Sequence, residues 1–245
     1  MSYDVLLYDD FSSSVGTLIH TTHANGPKLH ACTVTLGLNS VDTVDIQMNI
    51  DNPGWGKPNI MKSKLEVYED QKLIFRGRIV KPIHAMDSSG GLFYQEYSAE
   101  SVECFLYDSC QVQQKVSSCT VAQYFQTIIS QHNSQVENYK KFNVGTVTVT
   151  DSAGSADRYL DYEDTFDAIT NRLIDVYGGY ITVDYDTMTI NYLASVGSKS
   201  TTPLRIGFNM KSANKTIDPT SLVTRLIPTG ADIDTDTTDT TTDNS

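Results

Sequence analysis

The stretch SKLEVYEDQKLIFRGRIVKPI, residues 63–83, contains two segments separated by a polar turn. In each segment the type of side chain alternates from one residue to the next. Leu65 and Val67 precede a turn near Asp70. After the turn, the chain alternates Phe75, Gly77 and Ile79 with Ile74, Arg76 and Arg78. Successive side chains of a strand face opposite sides of a sheet, so this spacing indicates strands rather than a helix. Two such strands around a short polar turn predict a β-hairpin.

The rest of residues 1–115 also has strand patterns. Strands are predicted at YDVLLYDD (residues 3–10) and LFYQEYSAES (residues 92–101). Two more strands each place four apolar residues at period two: Cys32, Val34, Leu36 and Leu38, then Val44, Ile46, Met48 and Ile50. Many short strands separated by turns are typical of barrels and sandwiches. The sequence therefore predicts a β-rich, barrel-like domain over residues 1–115.

The periodicity changes after residue 115. In TVAQYFQTIISQHN, residues 120–133, apolar residues recur at helical spacing, and Thr120 with Gln123 fits a capping box. A second helix is predicted at about residues 165–177, ended by Gly178 and Gly179. A strand (FNVGTVTVT, residues 142–150) and a hairpin (YITVDYDTMTINYL, residues 180–193) accompany the helices. Residues 116–200 are thus predicted to be an inserted α+β domain, so the fold class is α+β and mainly β.

Near its end the chain has one more strand pattern, followed by a polar, acidic segment. TSLVTRLIPTG, residues 220–230, is predicted as a strand, so residues 201–230 are interpreted as returning to the β part. Residues 231–245, ADIDTDTTDTTTDNS, have almost nothing to bury. They are interpreted as a disordered acidic Thr/Asp loop or as a linker that is cut short.

Composition excludes several classes of protein. The formal net charge is −12 without a cluster of Lys and Arg, which disfavours a phosphate-gripping nucleic-acid binder. No apolar run approaches the ~20 residues that span a bilayer, so no membrane insertion by this segment is expected. The first residues lack the basic region of a secretory signal. Four cysteines in 245 residues predict reduced thiols rather than a disulfide scaffold.

No catalytic, cofactor-binding or metal-binding residues are predicted. His20, His23 and His30 lack metal-ligand spacing and are interpreted as polar loop or edge residues. The cysteines at 104, 110 and 119 are interpreted as small buried hydrophobic residues. Two acidic groups are assigned to a helix start and a turn: Asp161, Glu163 and Asp164, then Asp184 and Asp186.

Trp55, in the loop NPGWGKP, has two interpretations. It is a possible partner contact, because Trp is enriched among the residues that dominate binding at interfaces. Alternatively, it covers the hydrophobic core.

Several segments together resemble one protein family. They are NIDNPGWGKPNIMKSKLEVYEDQKLIFRGRIV (49–80), ECFLYDS (103–109), HNSQVENYKKFNVGTVTV (132–149), YEDTFDAITNRLIDVYGGYITV (162–183) and SLVTRLIPTG (221–230). In order and spacing they are similar to the N-terminal hub region of the tail-associated lysin of siphophages and prophages of Gram-positive bacteria. The same family is called prophage endopeptidase tail protein or minor structural protein.

The resemblance implies a phage tail-hub-like fold with β-barrel-like domains and an inserted α+β domain. It implies a structural role at the virion tail tip, or baseplate, after synthesis in the bacterial cytoplasm. The implied partners are two further copies in a homotrimer, the distal tail protein ring, and the tape-measure protein and DNA passing through the lumen without specific binding. Any endopeptidase activity would belong to a C-terminal module, so this chain is not expected to be an enzyme. The alternatives are a carbohydrate-binding host-adhesion module and, less favoured, a peptidoglycan hydrolase.

Overall fold

Seven antiparallel strands form one curled sheet, half of a barrel, in the first part of the molecule. The computed structural model describes residues 1–87, 92–198 and 201–210, with Ser212 and Arg225. The strand order in the sheet is β2-β1-β5-β6-β7-β4-β3. The strands are β1 (Tyr3–Tyr8), β2 (Thr17–Thr21), β3 (Ala31–Thr35), β4 (Thr43–Asn49), β5 (Lys64–Glu69), β6 (Lys72–Asp87) and β7 (Leu92–Ser101).

The hairpin predicted from residues 63–83 is confirmed as β5 and β6, which lie in the middle of this sheet. Its turn consists of Asp70 and Gln71, with φ angles of 46° and 69°. Two left-handed residues in succession give a turn whose twist matches that of the flanking strands. Phe75 and Ile79, which the alternation places on one face, are both fully buried on the concave side of the sheet.

The concave face of the sheet carries the first hydrophobic core. Val44, Ile46 and Met48 of β4 are buried there, which confirms their predicted face. Ile50 is 60% exposed, because β4 ends at Asn49 and the chain turns away. The prediction was therefore wrong for Ile50. The stripe predicted over residues 32–38 is also interrupted, since β3 ends at Thr35.

A second hydrophobic core lies against the convex face of the first sheet, around helix α1. It includes two smaller sheets, one of which is mixed: β12 pairs antiparallel with β11 and parallel with β9. The sequence missed β8 and β10, which pair with each other. The strands are β8 (Gln114–Cys119), β9 (Asn143–Val147), β10 (Ala156–Leu160), β11 (Tyr180–Asp184) and β12 (Thr189–Leu193).

Both predicted helices are confirmed. Helix α1 (Val121–Gln135) begins with the predicted capping box: Thr120 Oγ1 accepts from the Gln123 amide, and the Gln123 side chain accepts from the Thr120 amide. The second helix is continuous but contains one π-helical segment: α2 (Thr165–Ile169), a π turn (Thr170–Ile174) and α3 (Asp175–Tyr177). Gly178 and Gly179 end it with φ angles of 73° and 92°, which favour glycine.

Two short 3₁₀ helices complete this part, Val102–Asp108 and Asn138–Lys140. The second core takes in residues from Val102 onward, starting in the first of these helices. The domain boundaries drawn from the sequence remain predictions. Across the residues that the structure describes, no helix has both the length and the apolar character needed to cross a bilayer.

Met1–Gly197 form one compact unit and Ser198–Ser245 a second. In the second unit, the described residues show a tight turn in which the amides of Phe208, Asn209 and Met210 donate to the Arg205 carbonyl. The strand predicted over residues 220–230 lies outside the described residues, apart from Arg225. The acidic segment 231–245 lies outside them as well.

Candidate functional site

The three N-terminal histidines lie on edge strand β2 and in the loop that follows it. His20 Nδ1 accepts a hydrogen bond from the Leu29 amide at 3.2 Å, which ties this loop to the edge strand. His23 and His30 lie on the loop itself. Among the residues that the structure describes, no three His, Cys, Asp or Glu side chains are grouped so as to hold a metal ion.

The four cysteines are free thiols. Cys104 and Cys119 are buried in the second core, as predicted. Cys110 is exposed, so the prediction that it is buried was wrong. It lies between two buried residues, Ser109 and Gln111, where the chain forms an isolated β-bridge with Asp164, so that its side chain faces away from the core.

A buried serine–histidine pair lies inside the second core, but its surroundings are structural. Ser109 Oγ lies 2.6 Å from His132 Nδ1 and 2.7 Å from Thr165 Oγ1. The other ring nitrogen, Nε2, is hydrogen-bonded to the carbonyl oxygen of Lys140 at 3.0 Å rather than to a carboxylate. His132 and Thr165 are fully buried, so a substrate has no access to them. Burial also lowers the pKa of His132. This network joins α1 to the start of α2.

The acidic groups singled out in the sequence have local partners. Asp164 is the N-cap of α2, and Glu163 forms an ion pair with Arg172 at 2.7 Å. Asp184 accepts a hydrogen bond from the Asp186 amide at 3.0 Å in the β11–β12 turn. Their assignment to a helix start and a turn is confirmed.

Ion pairs join the convex face of the first sheet to the second core. Arg76 on β6 pairs with Glu66 on β5 at 2.7 Å, and its guanidinium also donates to the Tyr185 carbonyl in the β11–β12 turn. Arg78 donates to both carboxylate oxygens of Asp108, at 3.0 and 2.7 Å. Charged residues on this face are therefore buried between two layers rather than solvated.

A buried acidic cluster lies at the same junction. Glu103 is 9% exposed, and its Oε2 atom is without a hydrogen-bond partner among the described residues. Burial raises the pKa of Glu103 to about 7; a hydrogen bond from Ser101 opposes this rise and the charge of Asp42 adds to it. The Tyr185 hydroxyl donates to Asp42 Oδ2 at 3.2 Å. The cluster brings together three segments of the chain, and it changes charge near neutral pH.

Sequence reasoning missed this cluster because its members lie on segments far apart in the chain. One local signal was present: Glu103 lies inside the apolar run SVECFLY, residues 101–107. A lone carboxylate in such a run is unusual unless a partner accompanies it, since burying a charge is costly.

Trp55 packs, half-buried, against the core of the first sheet. Asn52 holds its loop in place, donating to the carbonyl oxygens of Ile19 at 2.8 Å and Lys28 at 2.9 Å. The loop thus links edge strand β2 to the segment before β3. The role of Trp55 as a partner contact stays a prediction.

A groove runs along the inner side of edge strand β3. It consists of two adjoining depressions of about 510 and 850 Å³, which share Leu36 and Ile74. We call it the β3 groove; its apolar lining includes Val5, Leu29, Val34, Leu36, Val67 and Ile74. Its polar end is formed by the tips of two hairpins, β5–β6 and β11–β12.

The mainly β, α+β fold with its curled half-barrel sheet matches that of phage tail proteins. In sequence, no family model and no curated protein match the chain. Two solved structures match it in fold over 85% of its length, each at 13% identity. They are prophage tail protein gp18 from Listeria monocytogenes, with a TM-score of 0.54, and the 43 kDa tail protein of prophage MuSo2 from Shewanella oneidensis, with a TM-score of 0.58. The chain spans 56% and 60% of these two proteins, less than two thirds of either.

Proposed function

We propose that this chain is a structural component of a phage or prophage tail, and specifically the N-terminal hub segment of a siphophage tail tip. The observation that carries the proposal is the likeness in fold to two tail proteins over 85% of the chain. The hub role, the Gram-positive host and the relation to tail-associated lysins rest on the sequence resemblance. In this role the protein joins the distal tail ring and closes the tail tube until DNA is ejected.

Two features of the chain support an assembling, non-enzymatic role. The curled sheet has two terminal strands, β2 and β3, and unpaired sheet edges favour association. The net charge of −12 disfavours adhesion to DNA, which suits a wall past which DNA moves. A homotrimer around a lumen, with the tape-measure protein and DNA passing inside, is the arrangement that we propose.

The mass of the full chain in solution tests the proposal, measured by light scattering at several concentrations. A hub predicts a species of three times 27.1 kDa, or its appearance on addition of the distal tail ring protein. A monomer at every concentration that also fails to bind the ring protein would contradict the hub role.

Incubation with purified cell walls tests the enzymatic alternative on the same sample. We expect no release of peptidoglycan fragments. Clearing of the walls by the purified chain would replace the structural role with a hydrolase.

A further inference from the structure

We propose that the free edge of β3, together with the β3 groove, binds an extended segment of another protein, which adds to the sheet as a further strand. The proposed segment has alternating apolar side chains and a basic residue at one end. This inference goes beyond the proposed function, because it requires neither a trimer nor a tail tip.

The first observation is that β3 is a terminal strand. It pairs with β4 from Ala31 to Thr35 and with no other strand among the described residues. Its second edge therefore presents backbone amides and carbonyls that an added strand can satisfy. The strand contains neither proline nor a charged residue, two features that commonly block such an edge.

The second observation is an apolar stripe that no described residue covers fully. Cys32 and Val34 lie opposite Ile46 and Val44, which are core residues of β4, so both face the concave side of the sheet. Cys32 is nevertheless exposed, and Leu36, beyond the end of the strand, is 58% exposed. On the neighbouring strand β4, by contrast, the apolar residues of this face are buried. An added strand would bury this stripe in the same way.

The third observation is the shape and lining of the β3 groove. Its floor is supplied by Val5, Val67 and Ile74, three side chains from three adjacent strands. The smaller depression alone has about 510 Å³, a volume within the range of sites that hold small ligands or a few side chains. The inward-facing apolar side chains of an extended segment would occupy it.

Charge determines which partner fits. The hairpin tips at the polar end carry Asp70, Asp184 and Asp186, against Lys72. Asp186 has a weak pairing with Arg76 at 3.8 Å and is 75% exposed. This excess of carboxylates favours a segment with Lys or Arg at that end. A second copy of β3 itself fits less well at this edge, because that strand has no basic residue to meet these carboxylates.

The test uses the full chain and two short synthetic peptides with the sequences RTVTVTV and ETVTVTV, capped at both ends. Affinity is measured by calorimetry, and hydrogen exchange of the β3 amides is followed by NMR. We expect the arginine peptide to bind about tenfold more tightly than the glutamate peptide at low salt, the effect of one favourable charge contact. We also expect those amides of residues 31–35 that point away from β4 to exchange more slowly once this peptide is bound.

Two matched variants locate the site. Leu36→Gln places a neutral polar group on the apolar stripe, whereas Thr35→Gln places the same group at the neighbouring exposed residue, which faces the opposite side of the sheet. Leu36→Gln should weaken binding of the arginine peptide by about tenfold or more, and Thr35→Gln by less than about threefold. Asp184→Asn should remove most of the preference for arginine over glutamate.

Three results would overturn the proposal. The first is equal affinity of the chain and its Leu36→Gln variant for the arginine peptide. The second is slow exchange, before any peptide is added, of the β3 amides that point away from β4, which would mean that the edge is already covered. The third is self-association of the chain that Leu36→Gln abolishes, which would make a second copy the occupant. None of these bears on binding to the tail ring protein, so the two proposals fail separately.

Discussion

Tyr185 donates a hydrogen bond to Asp42 Oδ2 across 3.2 Å, and this bond joins the β11–β12 turn to the loop that leads into β4. Glu103 lies beside both residues with its carboxylate buried. Three acidic or phenolic groups therefore meet where the second core contacts the first sheet. Because charge is costly in such a place, the stability of this junction depends on pH.

Glu103 is expected to destabilise the protein as pH rises. Its pKa is about 7 in the folded protein and 4.5 in its ordinary state, so folding favours the protonated carboxyl. The stabilisation is complete below pH 4.5 and is lost as pH rises through 7, at a cost of about 3 kcal/mol. Urea unfolding at pH 5 and pH 8 measures the difference. Glu103→Gln, which is neutral at both values, should show a much smaller loss; an equal loss in both proteins would refute this assignment.

The contribution of His132 to stability is expected to depend on pH in the opposite direction to that of Glu103. Burial lowers its pKa, so the folded state favours the neutral ring. Stability should therefore be present above pH 6.5 and decline as pH falls through the lowered value. NMR of the imidazole signals during acid titration measures this directly. A His132 ring that protonates at its ordinary pH, while the fold remains intact, would contradict the prediction.

Loss of Asp108 should destabilise the junction more than loss of a surface carboxylate. Asp108→Ala leaves the Arg78 guanidinium, 8% exposed, without its carboxylate partner. Removing one member of a buried pair costs about 3 kcal/mol, which denaturant unfolding resolves. Asp157→Ala is the matched control, because its ion pair with Lys115 is equally short but both side chains are over 40% exposed. Similar losses for the two variants would show that burial does not matter here.

Gly77, in the Phe-Arg-Gly-Arg step of the opening stretch, is expected to tolerate no side chain. A Cβ there would overlap the carbonyl group of Glu100 on β7 and lie 2.7 Å from the Phe75 ring. Gly77→Ala should cost about 3 kcal/mol, since neither backbone nor core has room to move. Gly154→Ala, in open space at a φ of 70°, should cost only about 1 kcal/mol. Thermal unfolding of both variants provides the comparison, and equal costs would exclude the close strand approach as the cause.

Substitutions of Trp55 distinguish its role in core packing from a role in partner binding. Trp55→Ala should lower the free energy of unfolding by about 2 kcal/mol, because half of a large side chain leaves the core. Trp55→Phe should retain most of that stability. If Trp55→Phe is stable but loses binding to cell-wall polysaccharide, the host-adhesion alternative is favoured over the hub. If neither the unchanged protein nor the Trp55→Phe variant binds polysaccharide, the host-adhesion alternative is excluded.

The sequence by itself determined the local elements. The hairpin at residues 63–83, the capped helix α1 and the Gly178–Gly179 stop depend on neighbouring residues, through side-chain periodicity, turn chemistry and the conformations open to glycine. Each is found at the expected place. Short-range rules were weaker where strands are short and polar, which is why β8 and β10 were missed.

Only the tertiary structure decided which of these surfaces are covered. The convex face of β5 and β6 looks solvated in the sequence, with Glu66, Arg76 and Arg78, yet the second core buries it. Leu36 shows the reverse. The period-two pattern to which it belongs suggests a core position, but the residue lies beyond the end of an edge strand and is 58% exposed. Burial depends on contacts between segments far apart in the chain, and residue periodicity carries no information about which segment covers which face.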